Sequence, residues 1–120
     1  MTHTVLIADD NLFVRQGLSE LFGREADFLV CGEAKNGKEA VEKAKQLHPD
    51  LILLDLLMPE MNGLDAARVL KRVTPEVPII MYSACTDSFI ENEALSAGVS
   101  ACVSKSDHVS VLLESARRLV

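Results

Sequence analysis

Apolar residues recur along this chain with two different periods. Short continuous runs at Thr4–Ala8, Asp27–Gly32, Leu51–Leu54, Val77–Met81 and Ser100–Val103 have the length and aliphatic content of strands buried in a parallel sheet. Between them the spacing widens to that of amphipathic helices, over roughly Leu12–Phe22, Gly37–Leu47, Gly63–Val73, Ser88–Ala97 and Val109–Leu119. In the first helix Val14, Leu18, Leu21 and Phe22 share a face, with Arg15, Ser19 and Glu20 elsewhere. In the second, Ala40, Val41, Ala44 and Leu47 point inward, and Lys38, Glu42, Lys43 and Lys45 outward. Stop signals agree with these bounds. Gly23 and Gly98 suit left-handed caps after the first and fourth helices. His48-Pro49-Asp50 ends the second, because proline disfavours helix at the residue before it. Asp107 suits the N-cap of the last helix, and Pro78 the opening of the fourth strand.

Five strand–helix alternations imply a parallel sheet covered on both faces, and right-handed crossovers leave few ways to order it. The flavodoxin-like order 2-1-3-4-5 is one of them. The expected fold is therefore α/β, a doubly wound (βα)5 sheet, with residues 1–120 as one domain. That order matters for chemistry. The first strand runs into Asp9-Asp10 and the third into Asp55. With strands 1 and 3 adjacent, these carboxylates converge at the carboxyl edge of the sheet, where ligands of open α/β folds bind. Acids at close range repel one another and a divalent cation relieves the repulsion. Oxygen donors favour a hard ion such as Mg²⁺, and the cluster points to phosphoryl chemistry.

Composition narrows the picture. In 120 residues, 48% are apolar but only 4% aromatic, with no Trp, so one aliphatic core is expected. Twelve basic against 18 acidic residues give a net charge of −6, with no basic stripe, so the domain by itself is not expected to bind nucleic acid. The apolar runs are too short for a bilayer and no basic-then-apolar leader opens the chain, so a cytoplasmic location is expected, without membrane attachment. Cys31, Cys85 and Cys102 have no CxxC spacing and read as reduced thiols used as small hydrophobes. His48 and His108 read as surface residues. No repeat, low-complexity segment or linker is present.

Taken singly, the polar residues at the strand ends have ordinary explanations: Asp9 and Asp10 as capping acids, Ser83 as a strand-end hydroxyl, Lys105 as a solvated cation, Asp55 as a turn residue before Pro59. Taken together, Asp9-Asp10, Asp55 in Asp55-Leu56-Leu57-Met58-Pro59-Glu60-Met61-Asn62-Gly63, Ser83-Ala84 and Lys105 each follow a predicted strand, in order. In this the chain resembles, over nearly its whole length, the receiver domain of two-component response regulators. The resemblance implies that Asp55 is the nucleophile that accepts a phosphoryl group from a phosphohistidine on a sensor histidine kinase. It implies that Asp10 binds Mg²⁺ (or Mn²⁺) directly, that Asp9 acts through water, and that Asp55 and the Leu57 carbonyl complete the metal set. Ser83 would donate to one phosphoryl oxygen and Lys105 would place its charge on another. Gly63 and Met58-Pro59 are read as shaping the loop after the nucleophile.

Departures from the family pattern carry expectations too. Cys102 stands where many receivers have Tyr or Phe, so an aromatic switch at that position is not expected. Lys105 is followed by Ser106 instead of Pro, so a trans bond is the default there, since cis costs about 2.5–4 kcal/mol before a non-proline residue. Leu57 and Cys85, flanking the path of a hydrolytic water, are poor partners for it and predict a long-lived phospho-state. Val14-Arg15-Gln16-Gly17-Leu18 and the missing proline resemble the subgroup with a C-terminal helix-turn-helix output of the LuxR type. The chain ends at Val120 inside its last helix, so a stand-alone receiver and part of a longer protein both stay open, as does a phosphorylation-dependent homodimer. The expected readout surface is helix 4, strand 5 and helix 5, near Asp87–Ala97 and Asp107–Leu119.

Two other classes compete with this reading. An aspartate-nucleophile phosphatase of the haloacid-dehalogenase type needs an acid two residues after its nucleophile, where this chain has Leu57. An unphosphorylated receiver-like scaffold tends to lose one of the acids or the lysine, and all are present here.

Overall fold

The computed structural model describes residues 2–84 and 87–120. It contains β1 (His3–Ala8), α1 (Leu12–Gly23), β2 (Phe28–Ala34), α2 (Gly37–Leu47), β3 (Leu51–Leu54), α3 (Gly63–Val73), β4 (Ile79–Ser83), α4 (Ser88–Ser96), β5 (Ala101–Ser104) and α5 (Val109–Leu119). The sheet is parallel throughout, in the order β2-β1-β3-β4-β5.

Alternate strand residues feed two separate cores, which is why the strands read as unbroken apolar runs. On one face Leu6, Ile52, Leu54, Ile79 and Met81 pack beneath α2, α3 and α4, through Ala40, Ala44, Ala66, Leu70 and Ala94. On the other, Val5, Ile7, Leu51, Leu53, Ile80 and Val103 meet Leu18 and Phe22 of α1 and Leu112 and Ala116 of α5. Two aromatic rings of this second core, Phe22 and Phe28, meet edge to face at 5.1 Å.

Several boundaries differ from the sequence reading, each for a tertiary reason. Gly23 is the last residue of α1 and not a left-handed cap. The chain leaves through Arg24 at φ −82°, and among the described residues Gly98 (φ +102°) is the one glycine with positive φ. The α1–β2 turn closes instead by right-handed bonds, Glu25 N–H to the Phe22 carbonyl among them. His48, exposed as expected, itself takes the left-handed position after α2. His108, not Asp107, caps α5: its Nδ1 accepts from the Ser110 N–H at 3.1 Å. Leu47, placed inward by period, is exposed at the end of α2, although its methyl lies over Gly32 where a side chain would collide.

Two strands shift in ways that matter at the site. β2 runs on to Ala34, because a bulge between Val5 and Leu6 lets it stay paired to the end of β1. β4 begins after Pro78 and carries Ser83 into its last position, paired with Ser104 of β5. No peptide bond among the described residues is cis, Lys105–Ser106 included. Among the described residues no helix is long and apolar enough to cross a membrane.

Candidate functional site

The pairing of β1 with β3, in which Ala8 is level with Leu54, delivers the acids to one place. The Asp55 N–H donates to the Ala8 carbonyl (2.9 Å) and the Asp9 N–H to the Ala34 carbonyl (3.0 Å), so each aspartate is held by the strand beside it. Asp9, Asp10 and Asp55 can each bring one carboxylate oxygen within 4.8 Å of the others. Asp9 and Asp55 are buried, 2% and 7% exposed, whereas Asp10 faces solvent. The donors are hard oxygens, mutually repelling and open to water on one side. That set fits Mg²⁺, which keeps several waters and takes one or two carboxylates.

Lys105 reaches this cluster from the far end of the chain. Its backbone N–H is held by the Ser83 carbonyl at 3.0 Å. Its Nζ donates to Asp9 Oδ2 at 2.8 Å and lies 3.5 Å from Asp55 Oδ2. Burial disfavours its charge, but the hydrogen bond to Asp9 and the charges of Asp55 and Asp9 outweigh that and raise its pKa. For Asp55 the balance also runs upward. Burial and the charge of Asp9 raise its pKa, against the opposing pull of Lys105. One oxygen of Asp55, Oδ1, accepts the Leu56 N–H at 2.9 Å, and the other faces Lys105.

Ser83 is buried at 2% exposure at the end of β4, two residues beyond Met81, which pairs with Leu54. The loop after β3 is shaped as the sequence suggests. The Gly63 N–H donates to the Leu56 carbonyl at 2.8 Å, and a Cβ at Gly63 would stand 2.2 Å from the Asp55 carbonyl oxygen. Glu60 takes a left-handed φ of +66°, with its carboxylate held by the Asn36 amide at 2.9 Å. Leu57 projects from this loop and is 64% exposed. Among the described residues no backbone N–H takes the Leu57 carbonyl. Cys85, the other residue expected beside the hydrolytic path, lies outside the described residues. Cys31 and Cys102 are half-buried, and burial raises both thiol pKa values, as befits small hydrophobes.

Asn11 has a role that the strand-end pattern does not reveal. Its Oδ1 accepts the Phe13 and Val14 N–H groups (2.9 and 3.1 Å), while its own N–H donates to Asp9 Oδ1 at 2.9 Å. It starts α1 and fixes the Asp9 carboxylate together. Its position one residue before an amphipathic run is the sequence signal for such a cap.

A parallel sheet in this order, with an acid pair after β1, an aspartate after β3, a hydroxyl at the end of β4 and a lysine after β5, defines a class. The chain belongs to the response regulator receiver domain family, whose model matches residues 5–117. It is 38% identical over 114 residues to the response regulator protein VraR of Staphylococcus saprophyticus, covering 95% of this chain and 54% of that protein. The chain thus spans about half the length of the curated relatives it matches. Among solved structures it is similar to a LuxR-family two-component response regulator from Aurantimonas sp. SI85-9A1, at TM-score 0.95 and 26% identity over 99% of this chain and 85% of that one. It is also similar to a chain of the CheX-CheY-BeF3-Mg²⁺ complex from Borrelia burgdorferi, at TM-score 0.92 and 27% identity over 98% and 88%.

Proposed function

We propose that this chain is a phosphoacceptor switch in which Asp55 takes a phosphoryl group from a sensor histidine kinase. The observation that carries this reading is the buried Asp55 carboxylate held between Lys105 at 3.5 Å and the Asp9-Asp10 pair within 4.8 Å. Asp9, Asp10, Asp55 and the Leu57 carbonyl would hold the metal. Mg²⁺, or Mn²⁺, supplies there the positive charge that lets a carboxylate and a phosphoryl group approach.

This chain's residues then do the rest by positioning and charge. The Leu56 N–H fixes the Asp55 carboxyl through Oδ1, which leaves Oδ2 to attack phosphorus. The phosphoryl group passes from a phosphohistidine nitrogen to the Asp55 oxygen, and the imidazole takes up a proton. Lys105 can then exchange an Asp9 oxygen for a phosphoryl oxygen with little movement of Nζ. Ser83, at the end of β4, donates its hydroxyl to another and is drawn toward it. That biases a two-state equilibrium of α4, β5 and α5. By the similarity to a LuxR-family regulator, the output is transcription through a DNA-binding domain outside residues 1–120, in the cytoplasm. The complex from Borrelia burgdorferi, which contains BeF3 and Mg²⁺, supports the metal and the phosphoryl site by analogy.

The test is intact-mass measurement after incubation with acetyl phosphate and Mg²⁺. The wild type should gain one phosphoryl group and Asp55→Asn none, with its fold retained. An Asp55→Asn protein that still gained the mass would place the nucleophile elsewhere.

A further inference from the structure

Arg15 stands off the apolar face of α1 by its period, yet its side chain is only 14% exposed. It reaches backwards from the first full turn of α1. Its Nη1 donates to the Asp9 backbone carbonyl at 2.7 Å, and its Nε donates to Glu33 Oε1 of β2 at 3.2 Å. Glu33 is held in turn: the Ser19 hydroxyl, one turn along α1, donates to its other oxygen at 3.1 Å, and Lys43 of α2 hydrogen-bonds to its backbone carbonyl. A guanidinium can bridge in this way because it is a rigid planar fork with several donors.

The carbonyl that Arg15 holds belongs to the peptide joining Asp9 to Asp10. Fixing that plane fixes where Asp10 leaves the backbone. Asp10 needs such help. Asp9 has Asn11 and Lys105 on its carboxylate, but Asp10 is exposed and among the described residues no hydrogen bond or ion pair reaches its side chain. Glu33 has a second effect. It neutralises a cation that would otherwise repel a metal at the adjacent carboxylates.

We infer that Arg15, braced by Glu33 and Ser19, is a positioning residue that aims the Asp10 carboxylate at the metal. The inference rests on the metal-holding role proposed above. It makes a prediction opposite in sign to simple electrostatics. Deleting a positive charge near a cation site should tighten Mg²⁺ binding, the more so with Glu33 left unpaired. A positioning role requires that binding weaken instead.

The experiment is calorimetric titration of the chain with Mg²⁺ alone, combined with amide hydrogen exchange of the metal-free protein. Arg15→Met, which keeps the aliphatic stem, should bind Mg²⁺ about tenfold more weakly, the low end for loss of a group that orients a metal ligand. The charge-neutral double variant Arg15→Met/Glu33→Met should show the same loss. Arg15→Lys should restore affinity at most in part, because an ammonium lacks the planar fork that sets the two bonds at once. Ser19→Ala, which alters no charge, should weaken binding in the same direction by a smaller factor. Amide exchange at Asn11, whose N–H is held by Asp9 Oδ1, should quicken in Arg15→Met while the amides of β1 and β3 keep their protection. Unchanged or tighter Mg²⁺ binding by Arg15→Met, or full recovery with Arg15→Lys, would overturn the inference. If Arg15→Met proves unfolded by its β1 and β3 amides, Ser19→Ala decides alone, and unchanged affinity there overturns it. A wild type that binds no Mg²⁺ would refute the metal role proposed above as well. Unchanged Asn11 exchange would separately refute the bracing of the loop.

Discussion

Replacing Lys105 with Met removes the cation that touches both buried acids and leaves its aliphatic stem in place. At an effective dielectric of about 20, attraction at the observed distances amounts to about 6 kcal/mol toward Asp9 at 2.8 Å and about 5 kcal/mol toward Asp55 at 3.5 Å. Desolvation of the three groups cancels much of this. Removing one partner of a buried pair costs about 3–5 kcal/mol, and because the Lys105 side chain is 24% exposed the low end, about 3 kcal/mol, is expected. Urea unfolding of metal-free wild type and Lys105→Met at neutral pH measures it. The loss should depend on pH in a defined direction. Asp55 already has its folded pKa raised, and without Lys105 it rises further. A group raised in this way contributes stability that is fully present below its unfolded pKa, about 3.9, and is lost as pH rises through the folded value. The deficit of Lys105→Met should therefore be largest at neutral pH and shrink below about pH 4. Mg²⁺ should rescue the variant more than it stabilises the wild type, since the uncompensated acids bind a cation more tightly and binding to the native state alone adds stability. A variant with weakened Mg²⁺ binding, or a deficit that persists unchanged into acid, would refute the assigned electrostatics.

Leu57 is too exposed to be explained as packing for its own loop, so it is expected to shield the phosphoryl group. Phospho-Asp55 should decay faster in Leu57→Asn than in the wild type by intact mass over time, and an equal or slower decay would count against shielding. Gly17 sits inside α1, and nothing lies within 4 Å of the place a methyl group would take there. Gly17→Ala should therefore raise stability by about 1 kcal/mol in urea melts. Gly98→Ala should lower it by more than that, because φ is +102° and the new Cβ would stand 2.1 Å from Lys71 Cγ.

The sequence by itself determined the elements and where the candidate site residues stand along them. Strand and helix periods are local properties of the chain, so α2, α3, α5 and β3 have the bounds that the pattern predicts. The acids, Ser83 and Lys105 were legible because each follows an apolar run, and a strand end in a parallel sheet has a known destination. Tertiary structure decided what depends on neighbours distant in sequence. The apolar run places the start of β4 two residues early, since it does not say where pairing to β3 and β5 begins. Gly23 looks like a left-handed cap because glycine permits that conformation, but the turn into β2 uses right-handed geometry instead. The ion pair of Lys105 with Asp9 spans 96 residues, and the bridge from Arg15 to Glu33 spans 18 and two different elements. No local pattern encodes such contacts. Their geometry exists only once β1 lies between β2 and β3, and the apolar burial of the assembled sheet offsets the cost of taking these charges out of water.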